Sequence, residues 1–208
     1  MHPDPTTLRQ LAGLPRIQRI APASTALLLI DFQREYFDGK LPLPDGAKAA
    51  RNAVALAAMA DACAMPVIPV HHVAASPAAA IFAPGSAGAE AIPSLVPAPH
   101  HLRVEKRLPS SFHGTGLAER MDESGIKTLI VAGLMTHACI DATTRDALHR
   151  GYGLVVAADA CASRDLPGHG NNGVIPHAAV HAATLAALAD RYADVLATGS
   201  IAALCQPG

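Results

Sequence analysis

Residues Thr128–Asp141 read TLIVAGLMTHACID. The first half, Thr128–Leu134, is a short apolar run of the kind that forms a strand covered on both faces, as in a parallel sheet. From Ile140 onward, Ile140, Thr143, Ala147, Leu148 and Gly151 fall on one stripe of a helix. A strand that runs straight into a helix is half of a βαβ unit, and Cys139 sits at the junction.

The same alternation extends in both directions. Ala26–Ile30 (ALLLI) is a second apolar run and stops at Asp31. Residues 47–64 are Ala-rich and suit a helix. PVIPVHHV, 66–73, reads as a strand. Residues 75–99 are dominated by Ala, Pro, Gly and Ser and read as a long irregular excursion, a type of segment that is often functional. In HLRVEKRL, 101–108, Leu102, Val104, Lys106 and Leu108 share one strand face. A short helix over 117–124 ends at Gly125. GLVVAADA (153–160) is a strand, 177–192 a helix and ADVLAT (193–198) the last strand. This pattern predicts an α/β protein with three α/β/α layers. Its six-stranded, mostly parallel sheet has the order 3-2-1-4-5-6. One domain spans 25–208. Residues 1–24 form an N-terminal arm, for which another subunit is a candidate surface.

Half of the 208 residues are hydrophobic, enough for a sizeable core. The 17 acidic and 16 basic residues nearly cancel, so no basic field attracts nucleic acid or a membrane surface. No apolar run approaches the roughly 20 residues of a membrane span, and the N-terminus lacks a secretory pattern. The four cysteines are widely spaced without a CxxC pair, which reads as free thiols in a reducing cytoplasm. The eleven histidines show no regular ligand spacing. Gly168–Gly173, GHGNNG, matches a dinucleotide fingerprint in letters, but it follows RDLP rather than a strand and carries no nucleotide expectation. There is no GxSxG elbow.

In sheets of this order, ligands bind beyond the strand carboxyl ends where the order reverses, between the first and fourth strands. Asp31 closes the first, and Cys139 lies just past the fourth. Lys106 shares its strand face with apolar neighbours, and a buried ammonium needs an anion, for which Asp31 is the candidate. A helix start at Cys139 would favour its thiolate. The pieces allow a Cys nucleophile, an Asp base and an ordering Lys. A small packed cysteine, a metal ligand or half a disulfide stays open on the residues alone.

At these positions the sequence resembles the isochorismatase-like cysteine hydrolases, the superfamily that includes nicotinamidase and N-carbamoylsarcosine amidohydrolase. The matching stretches are LLLIDFQREYF, VEKRLPSSFHGTGL, VAGLMTHACIDATTRDALHRGY, VVAADACASRDL and VHAATLAALADRYADVLAT, together spanning about Ala26 to Thr198. The resemblance implies Asp31 as general base, Lys106 as the accompanying cation and Cys139 as nucleophile. It further implies a cis Leu134–Met135 peptide, with the backbone N–H groups of Met135 and Cys139 as the oxyanion hole. The implied reaction is hydrolysis of a carboxamide or related C–N bond of a small molecule, without a cofactor, in a homodimer or homotetramer. Isochorismatases proper cleave a vinyl ether without this cysteine, and that non-amide chemistry is the alternative. Nicotinamidases carry an Asp-x-His for a metal after the first strand. This chain has DGKLPLPDG there, so neither metal nor nicotinamide is expected.

Gln33, Phe37, His72, Phe112 and His137 are candidate substrate contacts, with Tyr36 and Met135 beside them. His137 is disfavoured as the base of a Cys–His pair, since two residues of separation at a helix start points the side chains apart. His71 and His72 point to opposite strand faces, so they do not share a metal. His181 lies on an apolar helix face as a hydrogen-bonded core histidine. Cys161 is structural.

Overall fold

The computed structural model describes residues 5–170 and 173–205. Asn171 and Asn172 of the GHGNNG stretch, and both chain ends, lie outside the described residues. The strands are β1 (Thr25–Ile30), β2 (Val67–His72), β3 (Val104–Lys106), β4 (Thr128–Leu134), β5 (Gly153–Ala162), β6 (Leu166–Pro167), β7 (Val174–Ile175) and β8 (Asp194–Leu196). The helices are α1 (Leu8–Leu11), α2 (Gly46–Ala62), α3 (Leu117–Glu123), α4 (Asp141–His149), α5 (His177–Arg191) and α6 (Thr198–Leu204).

Six strands form one parallel sheet in the order β3-β2-β1-β4-β5-β8. This is the expected topology, with β8 in the sixth place because a small antiparallel hairpin, β6–β7, intervenes in the chain. That hairpin, α1 and α6 carry no periodic signal and were not anticipated.

Period-two alternation divides the core. Leu27, Leu29, Ile130, Ala132 and Val155 face α2 and α6. Leu28, Ile30, Val70, Val104 and Val131 face the layer that carries α3, α4 and α5. In α2 the buried positions include Ala49, Ala50, Ala53, Leu56 and Ala60, a stripe of mostly methyl side chains that lets the helix lie close to the sheet. Each larger aliphatic side chain buried this way contributes about 2 kcal/mol.

One expectation is corrected here. The strand read over 101–108 shrinks to Val104–Lys106, and Leu108 is exposed. β3 is an edge strand paired only to β2, and the ladder ends where β2 ends, at His72↔Lys106. The arm docks on its own chain. Leu8 N–H donates to Asp190, Ile17 N–H donates to Asp194, and Arg9 lies 3.4 Å from Asp194. No helix among the described residues is long and apolar enough to cross a membrane.

Candidate active site

The carboxyl ends of β1, β3 and β4 deliver three side chains to one point. Asp31 follows β1 directly and holds φ 57, a left-handed conformation that Asp tolerates better than most residues. Lys106 is the last residue of β3. Cys139 sits in a five-residue π-helical turn, Thr136–Ile140, between β4 and α4. π-Turns are rare and cluster at functional positions. The Leu134–Met135 peptide that enters this turn is cis.

The close approach of β1 and β4 depends on Gly133. It holds φ 146, and a Cβ there would run into the Ile30 carbonyl. The β4–β5 register also slips between Val131 and Gly133. A side chain at 133 would push apart the two strand ends that carry Asp31 and Cys139.

Lys106 Nζ lies 2.9 Å from Asp31 Oδ2 and 3.2 Å from Cys139 Sγ. Asp31 is fully buried, Lys106 is 1% exposed and Cys139 7%. The ammonium meets Asp31 off the hydrogen-bond direction, and neither carboxylate oxygen has a hydrogen-bond partner among the described residues. Burial pulls the Lys106 pKa down, but the charges of Asp31 and Cys139 outweigh it and hold the ammonium above the ordinary lysine value. Burial pushes the Cys139 thiol up to about 12; Asp31 adds to this and Lys106 opposes it. The expectation that a helix start favours the resting thiolate is therefore corrected. The α-helix begins only at Asp141, and desolvation next to a carboxylate wins. The resting thiol is protonated at neutral pH.

His72 Nδ1 lies 3.3 Å from Lys106 Nζ, and burial, followed by the Lys106 charge, lowers its pKa, so the imidazole is neutral. His71 points to the opposite face, toward Arg103 and Glu105. The other candidate contacts separate. Gln33 is fully buried and its amide is used internally: it donates to the His72 and Ala89 carbonyls and accepts from His72 N–H. It ties β1's exit to β2's end and the excursion. Phe37 leaves the Arg34–Tyr36 turn in the opposite sense to Tyr36 and lines an open groove of about 990 Å³ with Leu43, Ala50, Val54 and Ile92, away from the three polar residues. Phe112 is 5% exposed, stacked on Tyr152 and covered by Arg150. Gln33 thus serves loop closure and Phe112 packing, while Phe37 faces a separate groove. His137 Nδ1 pairs with Ser163 Oγ at 3.0 Å, not with Cys139. His181 Nδ1 pairs with Thr136 Oγ1 at 2.8 Å and so braces the π-turn.

Two contributors, Ser163 and Arg164, escaped sequence reasoning, and a third was named without its role. Tyr36, named only as a pocket candidate, is 3% exposed, and its phenol pKa is raised by burial and then by the charges of Asp31 and Cys139. Ser163 holds His137. Arg164 is half-buried, its Nε is buried without a partner, and its charge reaches Tyr36 and His137. The SRD that follows β5 was the available signal.

A carboxylate and two imidazoles also gather away from this point, at Asp61, His100 and His101. His101 Nδ1 accepts the Ala98 N–H, so its Nε2 carries the proton shared with Asp61 at 3.1 Å. A metal would need the lone pair on Nε2, and the arrangement instead caps the 98–101 turn.

Asp31, Lys106 and Cys139 thus lie buried together at the switch point of an open parallel sheet. The isochorismatase domain profile matches residues 25–200. The chain belongs to the isochorismatase family. It is 39% identical over 176 residues to YddQ, an isochorismatase family protein of Bacillus subtilis, covering 84% of this chain and 97% of that one. The crystal structure of a putative isochorismatase hydrolase from Oleispira antarctica is 40% identical with a TM-score of 0.83, covering 88% of this chain and 98% of that one. Maleamate amidohydrolase of Pseudomonas putida is 27% identical, with 82% of each chain covered.

Proposed function

We propose that this protein is a cysteine hydrolase that opens a carboxamide or related C–N bond of a small molecule through a thioester on Cys139. The observation that carries this reading is the contact of one buried ammonium, Lys106 Nζ, with both Asp31 Oδ2 and Cys139 Sγ. No packing requirement explains three polar groups buried together at a sheet's switch point. The amidohydrolase name of the Pseudomonas putida relative agrees with C–N chemistry.

The steps follow from the protonation states. As Sγ attacks the substrate carbonyl carbon, the thiol proton passes to Asp31, whose free oxygens receive it. The oxyanion is met by the backbone N–H groups of Met135 and Cys139. Collapse of the adduct breaks the C–N bond, and the departing amine takes the proton from Asp31. A water molecule, deprotonated by Asp31, then attacks the thioester, releasing the carboxylic acid and returning the thiol. Lys106 stays beside Asp31 throughout as the accompanying cation. His72, neutral beside Lys106, faces the acyl side.

The test is ammonia release from a panel of primary amides and ureides by the wild type and by Cys139→Ala. Release that disappears in the variant supports the reading. Release that survives it removes Cys139 as nucleophile, whereas no release from any compound points to the non-amide chemistry of the vinyl-ether enzymes.

A further inference from the structure

Phe82 is 3% exposed and holds φ 51. A bulky side chain in the left-handed region is strained, and such positions persist only where the surroundings enforce them. Its ring meets Tyr36 edge-on at 5.1 Å and His72 edge-on at 5.3 Å between centroids. These two residues flank the catalytic group: His72 touches Lys106, and Tyr36 senses the charges of Asp31 and Cys139. The irregular 75–99 excursion therefore packs one aromatic ring against both residues that flank this group.

Glu35 enforces the position. It is a 4% exposed carboxylate whose Oε2 accepts the Phe82 N–H at 3.3 Å and whose Oε1 accepts the Lys40 N–H at 2.6 Å. Lys40 Nζ donates in turn to the Ala80 carbonyl at 2.6 Å. Gly88 makes the space, since a Cβ there would run into Glu35 Oε2. The Phe82 carbonyl accepts from Ala74 N–H at 2.9 Å, which closes the excursion on itself. One buried carboxylate thus ties the 36–46 loop to the excursion.

We propose that Phe82 is the specificity-determining wall of the acyl pocket and that Glu35 is the positioning residue that fixes it, so that the site takes small acyl groups and rejects bulky ones. This rests on the cysteine-hydrolase reading, with Cys139 as the reacting atom. Phe82 offers no hydrogen bond and discriminates by volume alone. A volume difference of one methylene is worth roughly 10- to 200-fold.

Two readouts test it. The first is alkylation of Cys139, located by mass spectrometry, with iodoacetamide and with a bulky N-aryl maleimide. It needs no amide turnover. Phe82→Gly removes the ring and suits the left-handed backbone. It is expected to raise the maleimide-to-iodoacetamide rate ratio by about tenfold or more, by the same volume scale. Glu35→Gln places an amide N–H₂ against one of the two backbone donors, so it is expected to shift the ratio the same way by a smaller factor. If Phe82→Gly fails to fold, Phe82→Leu, which keeps most of the volume, carries the same measurement with an intermediate shift. A ratio unchanged within about twofold in every folded variant overturns the proposal, being below the smallest volume effect. The second readout is kcat/KM across amides of increasing acyl size, expected to broaden toward large groups in Phe82→Gly. A shifted alkylation ratio in a protein that hydrolyses no amide would keep the wall and remove the amidase reading. Amide turnover with an unshifted ratio would do the reverse.

Discussion

Two carboxylates of this protein hold a nitrogen base at nearly the same distance, with very different consequences. Asp31 meets Lys106 at 2.9 Å, and both side chains are sealed from solvent. Asp61 meets His101 at 3.1 Å at the end of α2, and its side chain is 41% exposed. Water screens the second pair and makes up any missing hydrogen bonds. The first pair has nothing but its members, so its charges are strongly felt and its free lone pairs persist. Distance alone does not separate structure from chemistry here; desolvation does.

The largest way to break the buried pair is to remove its cation. Lys106→Met keeps the length of the stem but leaves Asp31 as an uncompensated charge. We expect a loss of about 3–5 kcal/mol in urea unfolding, together with loss of hydrolysis. A variant as stable as the wild type would mean that the buried pair adds nothing to the stability of the fold. Next is Gly133→Ala, which puts a Cβ against the Ile30 carbonyl at a φ that disfavours it. A loss of about 2 kcal/mol or more is expected. Because the displaced strand end carries Asp31, kcat should fall more than KM rises.

The pH response sharpens the comparison. The Cys139 thiol is raised from 9.0 to about 12 in the fold, so the unfolded chain loses this proton first. The stabilising contribution is complete below pH 9.0 and drains away as pH rises toward 12. Lys106, raised by Asp31 despite its burial, has the same sign: its contribution is present below the ordinary lysine value and is lost above it. Wild type should therefore lose thermal stability on moving from neutral pH to pH of about 10, and Cys139→Ala should lose less, since one of the two linked groups is gone. Parallel curves for the two proteins would show that the thiol is not desolvated as the geometry implies.

The sheet was legible because buried parallel strands write themselves as continuous apolar runs, and Ala26–Ile30 and Thr128–Leu134 both do. Lys106 was legible from the face it shares with Val104. What escaped was of two kinds. β6, β7 and α6 are short and set by tertiary contact, so no periodicity announces them. Gln33, Phe37 and Phe112 sit in sequence beside the site, but a turn after β1 sends Tyr36 inward and Phe37 outward, and one-dimensional proximity cannot report that rotation. Phe82 lay unseen in an excursion of Ala, Pro and Gly, placed by a carboxylate 47 positions earlier.

The smallest effect belongs to the exposed pair. Asp61→Asn removes the charge that His100 and His101 face while keeping a carbonyl oxygen to accept from His101 Nε2. With Asp61 substantially solvated, the change in stability should stay within about 0.5 kcal/mol, and salt should not alter it measurably. Hydrolysis should be unaffected, since Asp61 lies at the opposite end of β2 from His72. Zinc added to the wild type should leave its melting temperature unchanged, because the His101 nitrogen facing Asp61 carries a proton fixed by the Ala98 N–H on the other side of the ring. A zinc-dependent rise that is lost in Asp61→Asn would show that this ring reverses its tautomer to bind metal, and would turn a turn cap into a ligand.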